Sequence, residues 1–191
     1  MKNKWALLIS LLLLVGCSSR TVTRIDTDLV TDLSGKWNDT DSRLVAEAMV
    51  TECLDSPWLT MYMERNASKP TVIVGTIQNR SYEHIDATTF MKDIERDFVN
   101  SGLIRIVASV EEREDLRDER WSQQGFASPE TRTALRNEYG AEYMMMGTIT
   151  SIIDEAEGVR VNYYQVDLEL LDIETTEKIW MGSKKIKKII E

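Results

Sequence analysis

His84 is the only histidine of the chain and its natural candidate for acid–base chemistry at neutral pH. It lies within residues 81–86, between Glu83 and Asp86, and a neighbouring carboxylate can orient an imidazole and raise its pKa, as in a general base. A base must act on a nucleophile, and no serine of the chain stands in a nucleophile-elbow sequence. We therefore predict that the protein is not an enzyme, and that His84 serves at the start of a helix or in partner binding.

Metal and nucleotide chemistry are also disfavoured by the residue types present. One histidine and one free cysteine, Cys53, cannot form a zinc site without several carboxylates. The acidic residues within 111–118 are typical of a solvated helix face, and the glycines never form a phosphate-binding loop. Cys53 lies in a helical pattern beside Met49 and Leu54, which favours a buried, unreactive thiol. We predict no metal and no cofactor.

The N-terminus has the pattern of a lipoprotein signal peptide. Lys2 and Lys4 precede an apolar stretch over residues 6–15, which is too short to span a bilayer, and Gly16 stands directly before Cys17. Cys17 is therefore predicted to be the lipidated first residue of the mature protein. An uncleaved anchor helix is disfavoured because the charged segment after Cys17 leaves too few apolar residues. Serine rather than aspartate follows Cys17, which favours the periplasmic face of the outer membrane.

Charge and cysteine content limit the classes of partner. The chain has 23 basic and 32 acidic residues, a net charge of −9, and loss of Lys2 and Lys4 with the signal peptide makes the mature charge −11. Such an acid excess argues against nucleic-acid binding and against electrostatic adhesion to anionic lipid, so membrane attachment is expected to come from the acyl chains. With Cys17 lipidated, Cys53 has no partner for an intramolecular disulfide.

Three segments are predicted. Residues 1–16 form the signal peptide, Cys17 and the polar stretch up to residue 33 form a short flexible tether, and residues 34–191 form a single globular domain. The tether contains no proline, and its sixteen residues after Cys17 can reach at most about 55 Å when fully extended. The domain is therefore expected close to its membrane.

The first half of the domain has the pattern of a strand–helix–strand unit. A helix is predicted from Asp39 or Asp41 to about Leu54. Pro70 then precedes a β-branched run over residues 71–77 that is typical of a strand buried on both faces. A second helix, starting at Asp86 or Thr88 and ending at Gly102, leads to a strand over residues 103–107. Such a crossover is parallel and right-handed in nearly all sheets.

The second half is predicted to contain two more helices and then three strands. Ser109 and Glu112 form a capping-box pattern before a charged helix through Arg120, and Ser128-Pro129 and Gly140 bracket a further short helix. Strand-like runs at 143–153, 159–173 and 178–185 predict an antiparallel meander. One face of the middle strand should belong to the core, through Tyr164, Val166, Leu168 and Leu170. The predicted fold class is α/β, in the sense of a mixed α+β fold with helices packed on one mixed sheet.

Four groups of residues contain motifs that are unspecific one by one but together point to one protein family. They are residues 33–43, Val74-Gly75 with residues 79–86, Glu119-Arg120 with Gln123-Gln124, and residues 164–168 with Ile179-Trp180. Together they resemble the LpoB family, outer-membrane lipoproteins that activate a class A penicillin-binding protein. The resemblance implies a fold similar to the amino-terminal domain of TolB. It also implies a non-enzymatic function, in which the protein docks on a small regulatory domain of a bifunctional peptidoglycan synthase and stimulates it.

The tether departs from the family pattern. Family members known for this activity carry a long, proline-rich tether through the peptidoglycan mesh, whereas this chain has only residues 18–33. A second function is therefore open, in which the protein is an envelope adaptor that docks on another outer-membrane or periplasmic assembly.

The residues expected at a partner interface lie in loop-like segments rich in aromatic and hydrogen-bonding side chains. The candidates are Trp37, Arg80, Tyr82, His84, Gln123 and Gln124. An internal role is an alternative for two of them. Trp37 would then pack on the sheet, and Arg80 would pair with Glu83 or Asp86.

Overall fold

The computed structural model describes residues 22–27, 29–135 and 137–191. The predicted signal peptide and the lipidation site at Cys17 lie outside these residues. Within the described part of the chain, none of the helices combines the length and the apolar character needed to cross a membrane.

The described residues contain four helices and five strands. The helices are α1 (Asp39–Asp55), α2 (Pro57–Asn66), α3 (Ala87–Ser101) and α4 (Val110–Phe126). The strands are β1 (Thr71–Asn79), β2 (Arg105–Ile106), β3 (Tyr143–Ala156), β4 (Val159–Asp172) and β5 (Lys178–Ile190).

The five strands form one mixed sheet in the order β2-β1-β3-β4-β5. β1 pairs in parallel with β2 on one side, as the strand–helix–strand unit predicted, and in parallel with β3 on the other. β3, β4 and β5 form an antiparallel meander. The mixed α+β fold class, with a parallel unit followed by a meander, is therefore confirmed.

The core lies between one face of the sheet and helices α1 and α3. Phe90, Ile94 and Phe98 project from α3 at helical spacing and are buried, as are Val45 and Met49 on α1. The sheet contributes the predicted face of β4, where Tyr164, Val166, Leu168 and Leu170 are at most 1% exposed. Cys53 is fully buried on α1, as predicted, and burial raises the pKa of its thiol to about 12.

The capping chemistry agrees with the sequence except at the first helix. α3 begins at the N-cap Asp86 and ends at Gly102 in the left-handed region, and Ser109 with Glu112 forms the capping box of α4. For α1, however, the N-cap is Asn38 and not Asp39 or Asp41, because the Asn38 side chain accepts from the backbone N–H of Asp41.

Helix α2 was not predicted from the sequence. α2 begins immediately after α1, with Ser56 as its N-cap and Pro57 in the first turn. Only Ser56 separates the two helices, so the apolar residues within 57–66 did not stand out as the repeat of a second helix. β2 is also only two residues long, although residues 103–107 were predicted to be a strand.

The predicted helix between Ser128 and Gly140 does not form in the described residues of that segment. The backbone N–H of Arg132 donates to the Ser128 carbonyl in a single turn. The following residues are then fixed to α4 by its side chains. Gln123 and Gln124 bond both backbone groups of Thr133, at 2.9 Å each, and so replace the hydrogen bonds that a helix would have supplied.

Lys188 on β5 holds the N-terminal approach to the domain. Its ammonium donates to the carboxylates of Asp32 and Asp41 and to the carbonyl of Lys36. The side chains of Lys188 and Asp41 are each only 10% exposed. Asp32 also accepts from the side-chain amide of Asn38 at 2.7 Å. The chain therefore contacts the domain from about residue 31 onwards.

Replacement of Gly147 by alanine is expected to destabilise the sheet by about 1–3 kcal/mol. A Cβ at Gly147 in β3 would stand 2.5 Å from both the carbonyl oxygen of Asp167 and a methyl of Leu168, and a backbone carbonyl cannot rotate away. Gly125 in α4 is the matched control, because a Cβ there meets nothing within 4 Å. Gly125→Ala should stabilise by roughly 0.5–1 kcal/mol. Urea unfolding of both variants gives the comparison, and equal unfolding free energies would contradict it.

Replacement of Lys188 by methionine is expected to cost about 3 kcal/mol at pH 7, because it leaves the buried Asp41 without its cation. The hydrogen bond from Lys188 lowers the pKa of Asp32, against a smaller opposing effect of burial. A lowered pKa contributes stability that is present above the unfolded value near 4 and is lost as pH falls through the folded value. The stability difference between wild type and variant should therefore narrow between pH 7 and pH 3. A constant difference in urea midpoint across that range would contradict the ion-pair interpretation.

Candidate functional site

The loop between β1 and α3 holds three of the predicted interface residues, and the sheet fixes its backbone. The N–H of Arg80 donates to the Ile149 carbonyl at 2.7 Å, and the N–H of Tyr82 donates to the Ser151 hydroxyl at 3.0 Å. Both acceptors lie on β3, the strand parallel to β1. The loop thus continues along the end of the sheet. We call residues 80–86 the β1–α3 loop.

Asn79 organises the inside of this loop. Its side-chain amide donates to the carbonyls of Glu83 and Ile85, and its side-chain oxygen accepts from the N–H and the hydroxyl of Ser81. Asparagine suits this position because a short amide can bond neighbouring backbone groups in place of a regular turn. These bonds leave the loop with little freedom to change shape.

Glu83 points inward and joins the loop to the two aromatic residues beneath it. One carboxylate oxygen accepts from the hydroxyl of Tyr164 at 2.8 Å, and the other accepts from the backbone N–H of Trp37 at 3.2 Å. Burial and, after it, the hydrogen bond to Glu83 raise the pKa of Tyr164 far above its ordinary value. The phenol therefore stays protonated and remains a donor to this carboxylate at neutral pH.

Trp37 is half-buried against the core. Its ring meets Phe90 and Tyr164 edge to face, with centroids 6.2 Å and 5.7 Å apart. Trp37 therefore packs on the sheet, as the internal role considered for it predicted. A part for this residue in partner binding stays a prediction.

Tyr82 and His84 flank the inward Glu83 and are exposed. Tyr82 is 81% exposed, although its backbone is hydrogen-bonded to β3. The Arg80 guanidinium bonds the side-chain oxygen of Gln78 through two nitrogens, at 2.8 Å and 3.1 Å. It does not pair with Glu83 or Asp86, so that alternative is wrong. A rigid loop with an exposed aromatic ring and an exposed guanidinium has the chemistry of a protein-binding surface.

A shallow cleft of about 280 Å³ lies beside this loop, between Trp37 and His84, and Ser42 also lines it. Nucleophilic catalysis would need the serine hydroxyl to bond the imidazole. The Ser42 hydroxyl instead donates to a carboxylate oxygen of Asp93, at 3.1 Å. Among the described residues there is also no group of three or more His, Cys, Asp or Glu side chains that could hold a metal ion.

Gln123 and Gln124 lie on α4, away from this hydrogen-bond network. Gln123 donates to the side chain of Glu119, and both amides bind the backbone of Thr133. These contacts fix residues 128–135 to the helix. The structure therefore brings together Trp37, Arg80, Tyr82 and His84, and it places the two glutamines in a separate region.

The inward role of Glu83 and the organising role of Asn79 were not predicted. Glu83 and Tyr164 are 81 positions apart. The alternation of β4 places Tyr164 in the core, but nothing in the sequence names the partner of its hydroxyl. Asn79 had a local signal, because asparagine directly after a strand and before a serine is typical of a side-chain-stabilised turn.

Comparisons with known proteins identify the family. The family model described as peptidoglycan-synthase activator LpoB matches residues 41–186. No curated protein matches the chain in sequence. The residues matched extend from the first turn of α1 almost to the end of β5, and so include every helix and strand of the domain in whole or in large part.

Solved structures with a similar chain path have low sequence identity. The C-terminal domain of LpoB from Escherichia coli is 15% identical, with 78% of this chain and 99% of that chain covered and a TM-score of 0.46. The NMR structure of E. coli LpoB is 14% identical, with 90% and 86% covered and a TM-score of 0.43. Lipoprotein GNA1162 from Neisseria meningitidis is 16% identical, with 62% and 83% covered and a TM-score of 0.39. The assignment rests on the family match, which covers more than half of the sequence: the chain belongs to the LpoB family of peptidoglycan-synthase activators.

Proposed function

We propose that the protein is a lipoprotein, lipidated at Cys17 and held on the periplasmic face of the outer membrane, that binds and stimulates a class A penicillin-binding protein. The observation that carries this proposal is the family match over residues 41–186, which covers nearly the whole domain. A family of synthase activators regulates an enzyme and is not itself one. The occupied Ser42 hydroxyl, which donates to Asp93, agrees with a role that needs no chemistry.

The exposed side of the β1–α3 loop is the docking surface that we propose for the regulatory domain of the synthase. Tyr82 presents a large aromatic ring at low entropic cost, because hydrogen bonds already fix its backbone before binding. Arg80 and His84 add donors on either side, and Trp37 supports the loop from below through Glu83. Aromatic and arginine side chains dominate the energetics of protein interfaces.

A second candidate function is an envelope adaptor that docks on an assembly near its own membrane. The contact of Asp32 with Lys188 favours it, because the domain then begins about two residues earlier than the predicted boundary. Between Cys17 and Thr31 the chain can span at most about 50 Å. The point at which the chain enters the domain therefore lies within that distance of the membrane that holds the anchor, and the partner must reach the domain there.

In-cell photocrosslinking distinguishes the two functions. A photoreactive residue replaces Tyr82 in the full-length protein, and the captured partner is identified from intact cells. Capture of a class A penicillin-binding protein is expected. Capture of other envelope proteins, and of no synthase, would favour the adaptor.

Replacement of Tyr82 by alanine should weaken binding to the synthase roughly 30-fold, the effect of losing one interface anchor of about 2 kcal/mol. Val99→Ala on α3 is the matched control, since Val99 is 57% exposed and belongs to no proposed interface. Binding is measured with the purified synthase, and stimulation as the rate of glycan polymerisation. Equal affinities of the two variants would show that the loop is not the interface, whereas no stimulation by the wild type would overturn the proposed function itself.

Replacement of Glu83 by glutamine should destabilise the domain by about 1–3 kcal/mol, because one of the two donors loses its acceptor. Glu83 acts as a positioning residue, so we expect weaker affinity for the synthase but full stimulation at saturating concentration. The control is Glu111→Gln on the exposed side of α4, which should change stability by less than about 0.5 kcal/mol. A loss of maximal stimulation without a loss of affinity would contradict the positioning role.

A further inference from the structure

β5 concentrates positive charge in an acidic chain. It contains five lysines and no carboxylate, although the chain as a whole has 32 acidic and 23 basic residues. Lys178 and Lys188 are ion-paired with carboxylates of the domain. Three lysines remain exposed, and no carboxylate of the described residues lies within ion-pair distance of them. They are Lys184, Lys185 and Lys187.

Two of these three lysines belong to a patch on the face of the sheet that is turned away from the core. On β4, Tyr163 and Gln165 alternate with the buried Tyr164 and Val166, and so point to the opposite face. The strand pairing sets three rows side by side on that face. The rows are Thr150, Gln165 and Lys185; Ile152, Tyr163 and Lys187; and Asp154, Val161 and Ile189. We call these nine residues the lysine patch.

The lysine patch combines cations with exposed apolar side chains. Ile152 and Ile189 are each 64% exposed, which is unusual for isoleucine on a strand. Asp154 is the only carboxylate among the nine residues. Lysine ammonium groups beside exposed aliphatic side chains suit an anionic surface with an apolar layer beneath it, which is the composition of a phospholipid headgroup region.

The path of the chain brings this patch towards the lipid anchor. Residues 32–35 and residues 187–190 line one depression at the end of β5, where the Gly35 carbonyl also accepts from the side chain of Asn162. The tether therefore leaves the domain beside Lys187 and Ile189. From Thr31 back to Cys17 a flexible chain would span about 20 Å. The end of the sheet that carries the patch is thus the end held nearest the membrane.

We propose that the lysine patch rests on the anionic phospholipid headgroups of the membrane that holds the anchor, so that the domain is oriented as well as tethered. The proposal rests on the proposed lipidation of Cys17. The net charge of the whole chain argues against adhesion, but electrostatic attraction at a surface depends on the charges within about a Debye length, near 8 Å at physiological salt. Within that distance of the patch face, Lys185 and Lys187 face Asp154. Asp167 lies in the next row of the same face, where both of its carboxylate oxygens accept from the side chain of Gln165. Lys184 alternates with Lys185 and so points to the other face of the sheet.

A second copy of this chain fits the patch less well than a membrane does. Pairing of two β5 edges would bring Lys184, Lys185 and Lys187 of one copy against the same residues of the other, and like charges across a strand pair are destabilising. An anionic headgroup layer has the complementary sign for all three.

Site-specific fluorescence on the lipidated full chain tests the proposal. Cys53 is buried with a raised thiol pKa, and the thiol of Cys17 is consumed by the lipid, so an introduced cysteine is labelled selectively. Ser183→Cys places an environment-sensitive dye one row from the patch, and Thr60→Cys on α2 places the same dye at the other end of the sheet. The protein is reconstituted in vesicles of phosphatidylethanolamine with phosphatidylglycerol, or of phosphatidylcholine alone.

The Ser183 label should report an apolar environment on the anionic vesicles and not on the neutral ones, and high salt should reverse the change. The Thr60 label should not respond. The double variant Lys185→Gln with Lys187→Gln should lower the ratio of docked to undocked domain roughly 25-fold, at about five-fold per lysine. The double variant Arg65→Gln with Lys69→Gln removes the same charge from exposed positions near α2 and should leave the ratio unchanged.

Each other result overturns the proposal in a distinguishable way. Equal Ser183 signals on the anionic and the neutral vesicles would mean that the lysines do not bind headgroups and serve only to prevent another strand from pairing with the edge of β5. Equal signals from Ser183 and Thr60 would mean that the domain has no preferred face. An N-terminal peptide without acyl mass would remove the anchor and the proposal together. Synthase stimulation is measured on the same vesicles, so a failure of the patch with stimulation retained leaves the proposed function intact.

Discussion

The antiparallel pairing of β3 with β4 is the constraint on which the rest of the structure depends. It runs without a break from Tyr143 opposite Asp172 to Ala156 opposite Val159. One of its faces supplies Met145, Ile149 and Tyr164 to the core. Its two outer edges take β1 in parallel and β5 in antiparallel register, so a shift of this ladder by one residue would turn the core face of the whole sheet to solvent.

The pairing of β3 with β4 also fixes the β1–α3 loop, the proposed docking surface, to the core of the domain. Ile149 and Ser151 lie on β3 and accept the backbone hydrogen bonds of the β1–α3 loop, while Tyr164 on β4 donates to Glu83 from beneath it. The loop is therefore shaped by the sheet and not by its own sequence alone. The exposed side chains of this loop are the part of the site that a partner can reach, and the inward, half-buried carboxylate of Glu83 is the part that gives them a fixed position.

The sequence predicted those parts of the fold that depend on local patterns. The β-branched run of β1, the Asp86 and Gly102 caps of α3, and the alternation of β4 are each visible within a window of about fifteen residues. The helix predicted in segment 128–140 is wrong for the same reason. Ser128-Pro129 is a good helix start in the local sequence, whereas the side chains of Gln123 and Gln124, which hydrogen-bond the backbone of Thr133, belong to another helix. The contact of Glu83 with Tyr164 and the ion pairs of Lys188 with Asp32 and Asp41 join distant parts of the chain. No periodicity encodes them.

The burial of Cys53 has a chemical consequence if the protein works outside the cytoplasm, as proposed. Its thiol cannot react while α1 packs on the sheet, because the sulfur is both inaccessible and protonated. Once α1 leaves the core, the same thiol becomes free to form a mixed disulfide with a small oxidant or with a second chain. In an oxidising compartment, a disulfide at Cys53 would therefore be a lasting record that the molecule carrying it had once unfolded.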